Sequence, residues 1–460
     1  MEKYDLIVIG GGPGGYVAAI RASQRGKSVA IVESNNLGGI CLNWGCIPTK
    51  ALLKNANVLD TIKNAHKYGI EITDYKIKWS KVIKRSRDIS RRLSKGIEYL
   101  MKKNKITYMP GKGKILDQNT IEVTDFKNQI YSIATNNIII ATGARSKWFN
   151  GMEPDGNRVI TSKEAMVQKE QPKSLVIIGA GAIGIEFAHF YNTYGTDVTI
   201  IEALPNILPM EDEDVSAELL SIFKKRKMNI LTNTCVDKID RLKTKVKIHT
   251  KDGQIIEADK ALIAVGVQAN IENIGLEEIG INLDNGWIST NKFMQTNVHN
   301  IYAIGDVAGP PWLAHVASEE GIVAAEHLAG KNPEPMKYDN IPGCTYCQPE
   351  IASVGLTEKA AREAGYELKI GSFPFRALGK AMAVGDTDGF VKMIYDAKYG
   401  ELLGCHIIGS EATNLITEAG LARKLEATWD EILTTIHPHP TLSEAIMEAT
   451  ADALGEAVHI

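Results

Sequence analysis

Two stretches of this 460-residue chain carry the same succession of apolar and polar blocks. Asp5 to Glu33 reads DLIVIGGGPGGYVAAIRASQRGKSVAIVE, and Ser174 to Glu202 reads SLVIIGAGAIGIEFAHFYNTYGTDVTIIE. Each begins with a short unbroken apolar run, the mark of a strand covered on both faces. A G-x-G-x-x-G turn follows, then a helical pattern, then a second apolar run that ends in glutamate. Counterparts lie 169 positions apart, as Gly10 and Gly179 do, or Glu33 and Glu202. Strand, glycine turn, helix and parallel strand make the mononucleotide-binding βαβ unit, here present twice.

Other apolar runs complete the pattern. NIIIATGAR around Gly143 and KALIAVGVQ around Gly266 each predict a strand that closes a sheet, and IYAIGDVAG around Ile304 is a further run of this type. Ser80 to Lys105 places Ile89, Leu93, Ile97 and Leu100 at helical spacing, which predicts an amphipathic helix with these four on its apolar stripe. Its many lysines and arginines read as a solvated face. Glu211 to Lys227 puts acids at the start of a helix and bases at its end, which complements the helix dipole. From about Tyr338 the texture changes to short strand-like segments, then helices over 411–424 and 443–454. The expected class is α/β: two Rossmann-like nucleotide-binding domains and a C-terminal α+β domain.

In the first glycine turn, Gly10 permits the tight bend, Gly12 lets a pyrophosphate approach the backbone, and Gly15 lets the helix pack on the strand. Gly179, Gly181 and Gly184 repeat the set. The free N–H groups and dipole of each helix start favour phosphate. Glu33 and Glu202 are placed to accept hydrogen bonds from ribose hydroxyls. An acid at 202, with no arginine following in IIEALPN, disfavours a 2′-phosphate and so favours NAD over NADP. Two such sites suggest two different nucleotides.

Composition excludes some classes. With 44% apolar and 23% charged residues the chain is ordinary for a globular protein. A net charge of −3 provides no field for nucleic acid or an anionic membrane. The N-terminal apolar run is too short for a signal peptide, and no stretch approaches the ~18 apolar residues of a membrane span. The cytoplasm is the expected compartment. Six cysteines are too sparse for a secreted disulfide framework.

Two of the six, Cys41 and Cys46, lie in GGICLNWGCIPTK. Five positions apart in a regular helix, their Cα atoms would be about 8.6 Å apart, whereas a disulfide requires less than about 7 Å. A bond therefore needs a distorted backbone, which Gly45 and a bend before Pro48 would supply. Spacing leaves open a redox pair, two core thiols, or half a zinc site, although no Cys/His cluster lies near in sequence to complete the last. Lys50, one turn beyond Cys46, would stabilise a thiolate or an anionic ring system in the same pocket. Cys344 and Cys347 form a C-x-x-C interrupted by Pro349, with no helix following, and read as structural. Cys235 and Cys405 read as core residues. In TIHPHPTLSEA, prolines stiffen the chain around His437 and His439, Ser443 is placed to cap the next helix, and Glu444 is placed to hold the His439 ring in one tautomer. Spacing leaves open a structural histidine or the base that thiol–disulfide exchange needs, because only the thiolate attacks.

Taken together, GGICLNWGCIPTK resembles the redox-active disulfide motif of the FAD-dependent pyridine nucleotide–disulfide oxidoreductases, and HPHPTLSEA resembles the His–Glu motif at their C-terminus. IYAIGDVAG is similar to the family's second FAD-contact motif, and IIIATGA to its domain-crossing strand. The motifs stand in family order along essentially the whole chain. The resemblance implies an FAD-binding domain over 1–148, an NAD-binding domain over 149–269, a central domain over 270–338 that completes the FAD site, and a dimerisation domain over 339–460. It implies that Cys41 is the interchange thiol, that Cys46 is the charge-transfer thiol against the flavin, and that the two form a redox-active disulfide. His439, oriented by Glu444, would be the base and would reach the disulfide of the partner subunit in a homodimer. Lys50 would sit near flavin N5 and pair with Glu186. FAD would be held by Gly10, Gly12, Gly15, Glu33, Lys50, Gly113, Thr142, Gly143, Asp306 and Ala314. NAD would be held by Gly179, Gly181, Gly184, Glu186, Glu202, Val236 and Gly266. No metal is expected.

Within the family, Glu202, the presence of Cys41 and Cys46, and the lack of a vicinal cysteine pair near the C-terminus resemble the branch that oxidises protein-bound dihydrolipoamide to lipoamide with NAD⁺. That branch serves 2-oxoacid dehydrogenase and glycine cleavage complexes, so lipoyl-bearing acyltransferases or an H-protein are the expected partners. The alternatives are another NAD(P)H-dependent flavin disulfide reductase, or a non-catalytic flavoprotein subunit, against which the intact Cys41, Cys46, His439 and Glu444 argue. In one departure, many relatives have GRRPN where this chain has GVQAN, Gly266 to Asn270.

Overall fold

In the computed structural model, which describes residues 2–460, the first apolar run is strand β1 (Lys3–Ile9), followed by helix α1 (Pro13–Gln24) and strand β2 (Val29–Glu33). β2 lies parallel to β1 with Leu6 opposite Val29. The second copy has a strand Ser174–Ile178, a helix Ala182–Thr193 and a strand Asp197–Ile201. There Leu175 lies opposite Val198, the same register 169 positions on. The glycine turns match as well: φ is +107° at Gly10 and +101° at Gly179. A Cβ at Gly15 or Gly184 would come within 2.0 Å of the carbonyl oxygen of Gly10 or Gly179, so only glycine lets each helix start this close to its strand.

The chain divides into two units. The first comprises Met1–Leu52, Lys78–Lys147 and Gly266–Lys337. Its parallel sheet runs in the order β3 (Thr107–Asp117), β2, β1, β5 (Ile130–Ile140) and the strand Ile301–Ala303. β3 and β5 extend beyond this sheet and form an antiparallel meander with β4 (Thr120–Asp125). Alternate residues of β1 feed opposite cores: Ile7 and Ile9 pack with Val32, Ile138 and Ile140, whereas Leu6 and Val8 pack with Ala18, Ala19 and Ala22 of α1. Burial of each such aliphatic side chain stabilises the fold by about 1.5–3 kcal/mol.

The second unit comprises Leu53–Ile77, Trp148–Val265 and Tyr338–Ile460. Its parallel sheet repeats the design, in the order Asn229–Leu231, Asp197–Ile201, Ser174–Ile178, Lys260–Ile263 and Val159–Ile160. It also holds a five-stranded antiparallel sheet, ordered Gly343–Thr345, Glu350–Gly355, Leu402–Gly409, Phe390–Asp396 and Leu368–Pro374. The helices Ala412–Lys424 and Glu444–Ala453 share its core. The acids expected only to complement a dipole do more. Asp212 caps the helix Glu213–Lys225 and, with Asp214 and Glu358, surrounds the buried ammonium of Lys392 at 2.9, 2.6 and 2.8 Å.

Two sequence expectations are corrected. Helix α4 (Trp79–Lys103) forms, but its buried face is Ser86, Ser90, Ser94, Ile97 and Met101, and Leu93 is exposed. α4 packs closely on the short helix α2 (Gly39–Trp44), where small hydroxyl side chains fit, and the Ser94 hydroxyl donates to the Leu37 carbonyl at 2.6 Å. Cys235 is exposed rather than in the core: Thr234 and Val236 on either side point inward, so the residue between them points out. Cys405 is fully buried. Among the described residues no helix is long and apolar enough to cross a membrane.

Candidate active site

Cys41 lies within α2, and Cys46 is the first residue of the next helix, α3 (Cys46–Lys63). Gly45 separates them with φ −146° and ψ −118°, well outside helical values, so the helix breaks between the two cysteines. Pro48 adds no bend. It sits in the first turn of α3, where its missing N–H has no partner to lose. Both cysteines are half-buried. The Cys41 thiol is pushed well up, first by its hydrogen bond with Cys46 and then by burial. The nearby charges of Cys46 and Asp306 add to this, and Lys50 opposes it. Ionising both adjacent sulfurs is costly.

Around this pair, Asp306 occupies the short turn Gly305–Ala308, and burial pushes its carboxyl up to about 6. The turn is fixed from below by buried Glu320, which accepts the Gly305 N–H at 2.6 Å. Ala314 opens the helix Ala314–Leu328, whose start has no side-chain cap. Gly113 lies on β3, where a Cβ would touch Ile9 and Val32. Thr142 and Asn270 are bonded reciprocally: the Thr142 hydroxyl donates to the Asn270 carbonyl at 2.8 Å, and Asn270 Nδ2 donates to the Thr142 carbonyl at 2.9 Å. Gly143 accepts the Asn270 N–H. Beside the GVQAN departure, Arg145 donates to the Ala269 carbonyl, to Asn270 Oδ1 and to Glu272.

The two glycine cradles are equivalent in detail. Glu33 accepts the N–H of Gly11 at 2.7 Å and of Asn35 at 2.7 Å; Glu202 accepts those of Ala180 at 2.7 Å and Leu204 at 2.9 Å. Burial raises the Glu33 carboxyl against these bonds. Gly12 and Gly181 stand at the helix N-caps without side-chain caps. A Cβ at Gly181 would meet nothing within 4 Å, and one at Gly12 only the Gly39 Cα at 3.9 Å. Uncapped N–H groups beside open space and a buried acid at the end of the second strand suit the pyrophosphate and ribose of a dinucleotide. Val236 begins the strand Val236–Arg241, next to Thr234, whose N–H donates to the Glu202 carbonyl. Glu186 is buried on its helix and accepts the Tyr346 N–H at 3.0 Å. Gly266 has φ +104°, and its carbonyl accepts the Lys147 N–H.

In the second unit, His439 Nδ1 and Glu444 Oε1 lie 2.8 Å apart, and the other carboxylate oxygen accepts the Thr441 N–H at 2.8 Å. Ser443 makes no side-chain cap; its hydroxyl meets that of Thr441 instead. No local pattern marks a parallel pair one turn on, in which His459 Nδ1 meets Glu448 at 2.6 Å. His437 is taken up by Glu418 at 2.7 Å. Cys347 is fully buried, its sulfur donating to the Pro349 carbonyl, and burial pushes its thiol far up, which makes it inert. Among the described residues no group of three His, Cys, Asp or Glu side chains is arranged to hold a metal.

Residues 4–321 match the family model of pyridine nucleotide-disulphide oxidoreductases, and residues 341–450 match that family's dimerisation domain. The chain belongs to the pyridine nucleotide-disulphide oxidoreductase family. Within it, the chain is similar to the dihydrolipoyl dehydrogenase of Zymomonas mobilis, at 48% identity over 100% of this chain and 99% of that one. It is 46% identical to the dihydrolipoyl dehydrogenase of Bacillus subtilis over 99% of both chains. The crystal structure of LpdA from Mycobacterium tuberculosis superposes with a TM-score of 0.91 at 25% identity, covering 98% of this chain and 99% of that one.

Proposed function

We propose that the chain is a dihydrolipoyl dehydrogenase, the homodimeric flavoprotein that returns protein-bound dihydrolipoamide to lipoamide at the expense of NAD⁺. The observation that supports it most directly is the Cys41–Cys46 pair straddling the break at Gly45, the two side chains within hydrogen-bond reach of each other. In the oxidised enzyme the two sulfurs form a disulfide. His439, its Nδ1 held by Glu444, takes a proton from one substrate thiol through Nε2. The resulting thiolate attacks Cys41, forming a mixed disulfide and expelling Cys46 as thiolate. The second substrate thiol, once deprotonated, attacks its own partner sulfur, which closes lipoamide and frees Cys41. The cysteines have then gained the two electrons that the substrate lost. FAD, when bound, would supply the two-electron chemistry that links the cysteines to NAD⁺. Lys50 lies one helical turn beyond Cys46, where its ammonium favours the thiolate form.

FAD would be held by the first cradle with Gly113, Thr142, Gly143, Asp306 and Ala314, and NAD by the second with Glu186, Val236 and Gly266. The functional segments are 1–148 for FAD, 149–269 for NAD, 270–338 completing the FAD site and 339–460 for dimerisation. His439 serves the disulfide of the partner subunit, which agrees with its 77% exposed side chain. The partners are lipoyl-bearing acyltransferases or an H-protein.

The test is a steady-state assay of dihydrolipoamide with NAD⁺, alongside absorbance spectra of the half-reduced enzyme. Wild type should reduce NAD⁺ and show a long-wavelength thiolate–flavin band. Cys46→Ser should lose both, and Cys41→Ser should lose turnover. An unchanged band in Cys46→Ser, or faster turnover with a different dithiol, would contradict the reading.

A further inference from the structure

We propose that Arg87 is a positioning residue for the redox cysteines: α4 acts as a splint across the break at Gly45, with Arg87 gripping the helix that carries Cys41. The inference rests on the reading of Cys41 and Cys46 as a redox couple. Arg87 Nη2 donates to the Asn43 carbonyl at 2.6 Å, in the last turn of α2. Its guanidinium carbon lies 4.2 Å from the centroid of the Trp44 ring, the next residue. Two positions earlier on the same helix, Arg85 Nη1 donates to the Ala51 carbonyl of α3 at 3.0 Å. One rigid helix thus holds the element before the break and the element after it.

Charge and packing favour the same conclusion. Asn43 is in the last turn of a six-residue helix, where carbonyls lack partners and the dipole is negative, so a guanidinium there is well placed. Stacking on Trp44 fixes the plane of the fork. From the other side, Asn43 Nδ2 donates to the carbonyls of Leu37 and Gly39 at 3.1 and 2.9 Å, so α2 is tied at both ends. Burial lowers the affinity of Arg87 for its proton and leaves Nη1 buried with no hydrogen-bond partner among the described residues. A surface ion pair would not need such an arrangement. The cysteines flank the one non-helical residue between α2 and α3, so the angle at Gly45 sets how closely the sulfurs meet. Without the splint that angle is free, the sulfurs spend less time within bonding range, and the disulfide becomes less favoured against the dithiol.

The experiment equilibrates the holoenzyme with mixtures of oxidised and reduced glutathione, traps free thiols by alkylation, and counts them on the 38–50 peptide by mass spectrometry. Arg87→Gln should lower the equilibrium constant for the Cys41–Cys46 disulfide about tenfold, a shift of ~30 mV toward easier reduction. Arg91→Gln, on the exposed face of α4, should leave it at the wild-type value. If wild type forms no disulfide at any glutathione ratio, the redox-couple reading itself fails. If wild type forms it and Arg87→Gln lies within twofold, the splint is overturned, even if the variant melts earlier. Should Arg87→Gln not fold, Arg87→Lys takes its place. A lysine keeps the charge but cannot lie flat on Trp44 while reaching Asn43, so about threefold is expected, and no change overturns the proposal.

Discussion

The Glu444 carboxylate holds the His439 ring by one edge, at 2.8 Å, while that ring remains 77% exposed and the carboxylate only 18% exposed. The bond to Nδ1 directs Nε2 outward. Burial would raise the Glu444 carboxyl, but the Thr441 N–H and the imidazole outweigh it and hold it below its usual range. The carboxylate is therefore charged wherever His439 must accept a proton. Glu444→Gln should lower kcat with dihydrolipoamide by about 100-fold. His439→Gln should cost more, with a ceiling near 10⁴. Stopped-flow reduction of the oxidised enzyme by dihydrolipoamide checks both, because reduction by NADH should be far less affected.

Selection of the nicotinamide cofactor should depend on Glu202. Its carboxylate closes the cradle through the N–H groups of Ala180 and Leu204, and its charge opposes a 2′-phosphate. Glu202→Gln keeps the shape and removes the charge. The ratio of kcat/KM for NAD⁺ over NADP⁺ should fall at least about tenfold, the equivalent of ~1.4 kcal/mol. A ratio unchanged in parallel assays would remove the acid from the specificity argument.

Two glycines of one turn should respond differently to the same substitution. A Cβ at Gly184 would lie 2.0 Å from the Gly179 carbonyl oxygen, so Gly184→Ala should destabilise the protein by about 1–3 kcal/mol or more. Gly181 has open space on that side, so Gly181→Ala should leave the melting temperature unchanged and weaken NADH binding. Calorimetry and a fluorescence titration separate the two effects.

The Lys392 cluster should set part of the acid limit of stability. Asp212 is held below its usual value although burial opposes this: the Lys392 ammonium and the Glu358 N–H outweigh that penalty. Glu358 is likewise lowered, chiefly by Lys392. Both carboxylates have depressed values in the folded state, so their stabilisation is present above about pH 4.5 and is lost as pH falls through the folded values, below 3.8 for Asp212. Lys392→Met should destabilise by about 3–5 kcal/mol at neutral pH, since Asp212 is left buried without its cation. It should also flatten the fall in stability between pH 5 and pH 3, read by denaturant melts across that range.

Local pattern made some of this legible and not the rest. The βαβ repeat was readable because each strand, turn and helix is specified by its own residues, and the register agrees at Leu6–Val29 and Leu175–Val198. The break at Gly45 followed from the geometry of two sulfurs that a regular helix would keep apart. The buried face of α4 did not follow. A hydropathy stripe marks Leu93, whereas the packed face is chosen by how near α2 approaches, which favours Ser90 and Ser94. The Lys392 cluster joins side chains 180 positions apart, and the grip of Arg87 on Asn43 spans 44. Contacts of that separation leave no periodic trace in a single sequence.

The two cradles differ at one matching position. In the first, Gly14 lets the helix Ala314–Leu328 press against α1, so that a Cβ there would lie 2.9 Å from the Ala317 carbonyl. Its counterpart 169 positions on is Ile183, a side chain left 43% exposed. At that position a neighbouring helix covers the rim of the first cradle, while the rim of the second faces solvent. A covered rim suits a tenant that stays through every turnover, and an open one a visitor that must leave each time.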